Sequence, residues 1–278
     1  MIPTTRLPSD EPVPILGQGT WNMGEDPRRR KQEVAALQLG LELGMTLIDT
    51  AEMYGNGAAE ELVSEAIVGR RDEVFLVTKA YPHNASPKRL RAACERSLKR
   101  LKSERIDLYL LHWRGSVPLQ DTVDGFTSLQ QDGLIRHWGV SNFDLKDMKE
   151  LVSLAGGARV ATNQVLYNLA SRGIEWDLLP WFRACGLPIM AYSPLGQGSL
   201  LRRRELQAVA TRYSAAPAQI ALAWLLRQPE VMVIPKAGRP EHVKENYRAL
   251  EMRLTETDLH ELDHAFSPPS NPTPLEII

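Results

Sequence analysis

Two cysteines in 278 residues, Cys94 and Cys185, are too few and too far apart for a disulfide framework, and neither stands in a CxxC or metal-ligand spacing. They read as buried thiols of a reducing compartment, and no metal is expected. No run approaches the roughly 18 uninterrupted apolar residues of a membrane span, and the start, MIPTTRLPSDEPVP, lacks the hydrophobic stretch of a signal peptide. A cytoplasmic location follows as the expectation. An excess of charge is missing too: 33 basic side chains nearly cancel 34 acidic ones, so no global field recruits nucleic acid or a membrane surface. What is present is a chain with 43% apolar residues, enough to fill a large core and suited to small-molecule chemistry.

Short β-branched apolar runs alternate with longer stretches of helical period. PILGQG precedes KQEVAALQLGLELG, in which Val34, Leu37 and Leu41 share one helical face. TLID, EVFLVTK and IDLYLLHW each precede a helical stretch, and LIRHWGVSN, VATNQVLYN, PIMAYSPLG and VMVIPK do the same further on. Eight βα units in about 250 residues predict a parallel (β/α)8 (TIM) barrel, α/β in class. No glycine-rich linker or composition break divides the chain, so a single domain over residues 1–278 is expected. Residues 1–14 read as an N-terminal hairpin closing the barrel bottom, and the proline-rich segment from about Ser267 reads as a C-terminal loop that cannot be regular helix. In the first helical unit Asp26 is placed to cap and Pro27 to open the helix.

In a parallel barrel the reactive face is built at the C-terminal strand ends. Strand 2 delivers Asp49, with Tyr54 in the loop beyond; strand 3 delivers Lys79, strand 4 His112, and strand 5 Ser141 and Asn142. Gln164, then Tyr192 with Ser193, then Lys236 complete the rim. Any one of these is ordinarily a solvated or locally satisfied side chain; together they describe a site. Asp49 alone would suffer desolvation, but Lys79 from the neighbouring strand pairs with it and stays protonated. A cation beside Tyr54 favours phenolate, which is expected to pull the phenol below its reference value of roughly 10 and make it a usable general acid. His112 is then placed to orient or polarise the same carbonyl oxygen.

The words GQGTW, LIDTAEMYGNG, LVTK, LYLLHW, GVSNF, NQVLYN, AYSPLG and IPKAGRPEHVKEN occur in an order, and on units, in which the chain resembles the aldo-keto reductase superfamily over essentially its whole length, and more narrowly its bacterial reducers of methylglyoxal and other small carbonyls. The resemblance implies a catalytic tetrad, matched as Asp49, Tyr54, Lys79 and His112. It implies NADPH lying extended across the mouth without a Rossmann domain, with NADH as a possible substitute. Gly19, Thr20, Trp21 and Asp49 would border that cofactor, Ser141, Asn142 and Gln164 would hold its carboxamide, and Tyr192 would stack on its nicotinamide ring. The segment SPLGQG, residues 193–198, with Ser193, Pro194, Leu195 and Gly196, would follow the pyrophosphate, Lys236 the 2′-phosphate, and Glu245 with Asn246 the adenine.

The chain departs from the family pattern at His242, where an arginine usually clamps the 2′-phosphate; a neutral imidazole cannot replace a bidentate guanidinium. Arg239 is the nearest substitute. The run Arg202, Arg203, Arg204 at an apparent helix start reads either as a solvated turn or as a loop that closes on cofactor phosphates. Trp21, Met23, Met53, Tyr81 and Trp113 are expected to line a modest apolar substrate pocket with no basic anchor, which suits a small neutral carbonyl. The C-terminal loop either lies over this mouth or frays. A monomer or weak homodimer is expected, without nucleic-acid or membrane partners. The rival reading is a weakly catalytic, NADP-binding redox-sensing subunit on the same fold. A phosphate-binding barrel isomerase is disfavoured because strands 7 and 8 lack paired glycine loops.

Overall fold

The computed structural model describes residues 2–278. A short antiparallel hairpin, β1 (Thr4–Arg6) with β2 (Pro12–Pro14), comes first. Eight parallel strands follow in sequential order: β3 (Gln18–Gly19), β4 (Leu47–Asp49), β5 (Phe75–Ala80), β6 (Ile106–Leu111), β7 (Ile135–Ser141), β8 (Asn163–Leu166), β9 (Ile189–Tyr192) and β10 (Val231–Val233). The last closes on the first, since Gly17 N–H donates to Val233 at 2.9 Å and Gly19 N–H to Pro235 at 3.1 Å. The (β/α)8 barrel and the N-terminal hairpin predicted from the sequence are both present.

Strand periodicity of two explains both the core and the rim. Leu47, Phe75, Val77, Leu108, Leu110, Met190, Met232 and Ile234 point inward and pack with Leu7 and Val13 of the hairpin, which plugs the lower end. Two residues further along the same columns stand Asp49, Lys79, His112, Tyr192 and Lys236. The alternate residues, such as Ile48, Leu76, Tyr109 and Leu111, face outward into the larger core beneath the helices.

The helices are α1 (Arg30–Glu42), α2 (Ala58–Ala66), α3 (Pro87–Leu101), α4 (Leu119–Gln131), α5 (Leu145–Ser153), α6 (Leu178–Ala184), α7 (Arg204–Arg212), α8 (Pro217–Leu226), α9 (Pro240–Arg248) and α10 (Glu256–Ala265). Two of them fall outside the eightfold alternation. α7 interrupts the β9–α8 connection, and α10 follows α9. Asp26 does not cap α1, which begins at Arg30; its carboxylate instead accepts from the Arg28 N–H at 3.0 Å in a turn ahead of the helix. Cys94 is buried in α3, but Cys185 is exposed at the end of α6, where the chain leaves the helix at the surface. Among the described residues no helix is long and apolar enough to cross a membrane.

Two buried ionic clusters tie the outer layer to the barrel. Glu60 of α2, fully enclosed, accepts from Thr78 Oγ1 of β5 at 2.6 Å and from Arg100 Nε of α3 at 2.5 Å. Arg172 donates to Glu175 at 2.8 Å, to Asp263 of α10 at 2.7 Å and to the Phe266 carbonyl at 2.7 Å, with its guanidinium 4.9 Å from the Trp224 ring. The segment after α10 turns back over the barrel mouth: Ser171 Oγ donates to Glu276 at 2.8 Å and Leu275 packs on the core.

Candidate active site

The rim residues converge on a cavity of about 520 Å³ at the C-terminal ends of the strands. At its floor Lys79 Nζ donates to Asp49 at 2.8 Å, to the Thr50 carbonyl at 2.9 Å and to Tyr54 Oη at 3.2 Å. Tyr54 reaches this position because Gly55 (φ 56°), Asn56 (φ 52°) and Gly57 (φ 97°) turn the chain sharply before α2. Left-handed backbone of this kind is cheap for glycine and tolerated by asparagine. The His112 ring stands edge-on to Tyr54, with centroids 5.9 Å apart.

Burial sets the titration of these groups. It pushes the Asp49 carboxyl above the ordinary carboxylate range, with Lys79 and Gln164 opposing. It pulls on the Lys79 ammonium in the opposite sense, but Asp49 and Tyr54 outweigh it and hold Lys79 protonated. Tyr54 corrects the sequence expectation. Desolvation raises its phenol above 10 and outweighs the neighbouring Lys79, with the Asp49 carboxylate pushing in the same upward sense. His112 is driven down to about 3 by burial and by Lys79, so its imidazole is neutral at physiological pH. Its Nδ1 is buried without a partner. An orphaned buried N–H is rarer than an under-satisfied acceptor, so the tautomer is assigned as bare Nδ1 with the proton on Nε2, the nitrogen left to the cavity.

Beside the tetrad, one hydrogen-bonded set spans three strands. Ser141 Oγ donates to the Gln164 carbonyl at 2.8 Å. The Asn142 amide donates to the His112 carbonyl at 3.1 Å, and Tyr192 Oη donates to Asn142 Oδ1 at 2.9 Å. Asn142 itself is left-handed, at φ 60°. Gln164 Nε2 donates to Asp49 Oδ1 at 2.7 Å. Ser193, also left-handed at φ 45°, is held by Asn168, whose amide donates to the Ser193 carbonyl at 3.0 Å.

Gly19, Thr20, Trp21, Asp49, Ser141, Asn142, Gln164, Tyr192, Ser193, Pro194 and Lys236 all line the cavity, as do Met53 and Trp113. Several expected residues do not. Met23 is fully buried in the outer core, because the chain turns inward after the exposed Trp21. Tyr81 stands behind the wall, edge-on to Trp113 at 6.0 Å and stacked on His83 at 5.0 Å. Leu195 packs on the core and Gly196 opens a short turn. Arg239, Glu245 and Asn246 lie at the start of α9 and along it, outside the cavity; Asn246 is buried. Arg203 stacks on Phe266 at 4.8 Å. Gln197 of the SPLGQG segment lines the cavity as well, and so do Ile234, Ile277 and Ile278, which were not among the expected residues. Period two carried the signal for Ile234; nothing local carried one for the two isoleucines. Among the described residues no three His, Cys, Asp or Glu side chains are placed to hold a metal ion.

The aldo/keto reductase family model matches residues 15–266. Methylglyoxal reductase YeaE of Escherichia coli (strain K12) is 50% identical over 274 residues, covering 97% of this chain and 96% of that protein. Methylglyoxal reductase DkgB of Salmonella typhi is 30% identical over 250 residues, 88% of this chain and 90% of its own length. The crystal structure of an aldo/keto reductase from Klebsiella pneumoniae in complex with NADP and acetate superposes with a TM-score of 0.97 at 48% identity, each chain covered in full. Fold, site and sequence agree, and the chain belongs to the aldo/keto reductase family.

Proposed function

We propose that this NADP-dependent aldo-keto reductase reduces small neutral aldehydes and ketones to alcohols, methylglyoxal among them, with Tyr54 as proton donor. The observation that carries the reading is the buried chain Asp49–Lys79–Tyr54 opening beside His112 into an apolar mouth. The site suits the dinucleotide: Tyr192 presents an aromatic surface, Gln164 an amide oxygen, and Lys236 at the rim is a cation with no ion pair among the described residues. Lys236, helped by Arg239, is read as receiving the 2′-phosphate. When bound, the reduced nicotinamide supplies hydride to the carbonyl carbon.

The chain's own residues manage the oxygen. His112 donates from Nε2–H and orients the carbonyl; being neutral, it does not compete as the acid. Tyr54, a phenol and so protonated at neutral pH, is held further in that form by burial, and it gives its proton to the alkoxide as it forms. Lys79, 3.2 Å away, then stabilises the phenolate left behind, and Asp49 keeps Lys79 charged. Trp21, Met53 and Trp113 offer no cation for an anionic substrate. We read the whole of residues 1–278 as one domain, acting in the cytoplasm as a monomer or weak homodimer.

NADPH oxidation with methylglyoxal and with 4-nitrobenzaldehyde tests this directly. Tyr54→Phe should lose at least roughly 100-fold in kcat, the scale of general acid catalysis, with NADPH affinity unchanged. Full turnover in that variant would refute the proton donor. NADPH binding without turnover of any small carbonyl by the unmodified protein would instead favour a redox-sensing role.

A further inference from the structure

Resting on the reading above, in which the cofactor's carboxamide meets Gln164, we propose that Gln164 is also a positioning residue for the acid–base chain, holding Asp49 with one end of its amide while only the other end is left for the nicotinamide.

The geometry assigns the two ends. Gln164 lies on β8, in register with Ser141 of β7 and Met190 of β9, and is almost fully buried. Its Nε2 donates to Asp49 Oδ1 at 2.7 Å and lies 2.9 Å from Met190 Sδ, so both amide protons are committed inside the protein. Asp49 is thereby held from two sides, by Lys79 from β5 and by Gln164 from β8, across the barrel interior. The amide oxygen accepts from no protein donor among the described residues and is not sealed off, while the residue lines the mouth. An acceptor alone can receive the carboxamide NH₂ but cannot bind its carbonyl. Gln164 therefore selects one rotamer of the carboxamide while the same side chain holds Asp49.

The coupling has a direction. The hydrogen bond from Gln164 favours ionised Asp49, which keeps Lys79 protonated. The titratable groups that face this pair and Tyr54 are Lys79 from β5, His112 from β6 and Tyr192 from β9; His112 is neutral and Tyr192 is pushed up to about 12 by burial. Ionisation of Asp49 is thus the step expected to govern the acid limb of the rate profile. Without the Gln164 bond that limb belongs at higher pH.

Two variants separate the two ends. Gln164→Met keeps the volume and loses both donor and acceptor; Gln164→Glu keeps an acceptor and replaces the amide donor by a carboxyl that competes with Asp49 for a proton. The probes are NADPH and its 3-acetylpyridine analogue, in which a methyl ketone replaces the amide and the NH₂ is gone. The unmodified protein should bind NADPH roughly 2- to 12-fold more tightly than the analogue, the value of one neutral hydrogen bond. Gln164→Met should abolish that preference, and Gln164→Glu should retain it. In both variants the acid limb of kcat/KM for an aldehyde should move up by at least about half a pH unit, further in Gln164→Glu, where two carboxyls share a proton. An unmoved acid limb in both folded variants, checked by thermal midpoint, would overturn the coupling, and equal loss of both cofactors in Gln164→Met would overturn the assignment of the oxygen. Cofactor binding needs no turnover, so an inactive wild-type protein would defeat the proposed activity while leaving the binding arm to judge Gln164.

Discussion

Lys79 is the residue on which the site turns, because it is an ammonium with no access to water, held by one carboxylate, one carbonyl and one phenol. Lys79→Met removes a cation that Asp49 needs, and breaking one side of a buried pair costs roughly 3–5 kcal/mol. Turnover and the thermal midpoint should fall together; a midpoint equal to that of the unmodified protein would show that the pair adds nothing to the fold. His112 gives a pH signature. Its folded pKa, about 3, lies below its unfolded value of about 6.5, so between these limits the unfolded chain binds the extra proton. The stability it contributes is complete above about pH 6.5 and is lost as pH falls toward 3. Thermal midpoints at pH 7 and pH 5 should therefore differ less in His112→Gln than in the unmodified protein. The positions of Asp49, Lys79 and His112 were legible in the sequence because each stands two residues beyond an inward apolar residue in its strand. The direction of the Tyr54 pKa was not, since depth of burial depends on what the rest of the chain places above the hydroxyl.

The strands and most helices were readable as elements because period two and period 3.6 alternate along the chain. α10 was missed although it carries a local signal: Thr255 Oγ1 accepts from the Asp258 N–H at 3.2 Å, and Asp258 Oδ2 accepts from the Thr255 N–H at 2.8 Å, a capping box in sequence form T-x-x-D. What no local pattern could show is that α10 is held by Arg172, far upstream, through Asp263 and the Phe266 carbonyl. Arg172→Leu should leave the barrel folded while loosening this helix, since Glu175 and Asp263 lose their shared cation. Amide hydrogen exchange should rise by an order of magnitude or more in residues 256–266, with little change in β4–β6. Uniform acceleration throughout the molecule would mean that Arg172 supports the global fold rather than one element.

On the scale of the whole molecule, the hairpin was foreseeable from a short proline-bounded start, whereas the course of the final segment was not: SPPSNPTPLEII has no periodicity, and its place is decided by Glu276 meeting Ser171 and by Leu275 finding apolar neighbours. The hairpin has a further consequence for how protons are supplied. With Leu7 and Val13 filling the lower end and Val77, Leu108 and Leu110 stacked above them, Tyr54 has no aqueous route through the barrel interior. Its phenolate must be recharged from the mouth, and there Ile277 and Ile278 stand with the walls of the cavity. Proton uptake from the medium is therefore tied to the departure of product rather than to the chemical step. In a single turnover followed with a pH indicator, the loss of NADPH absorbance should precede the rise in pH, and deleting residues 273–278 should shorten the lag. Simultaneous signals in the intact protein would mean that water reaches Tyr54 by another path.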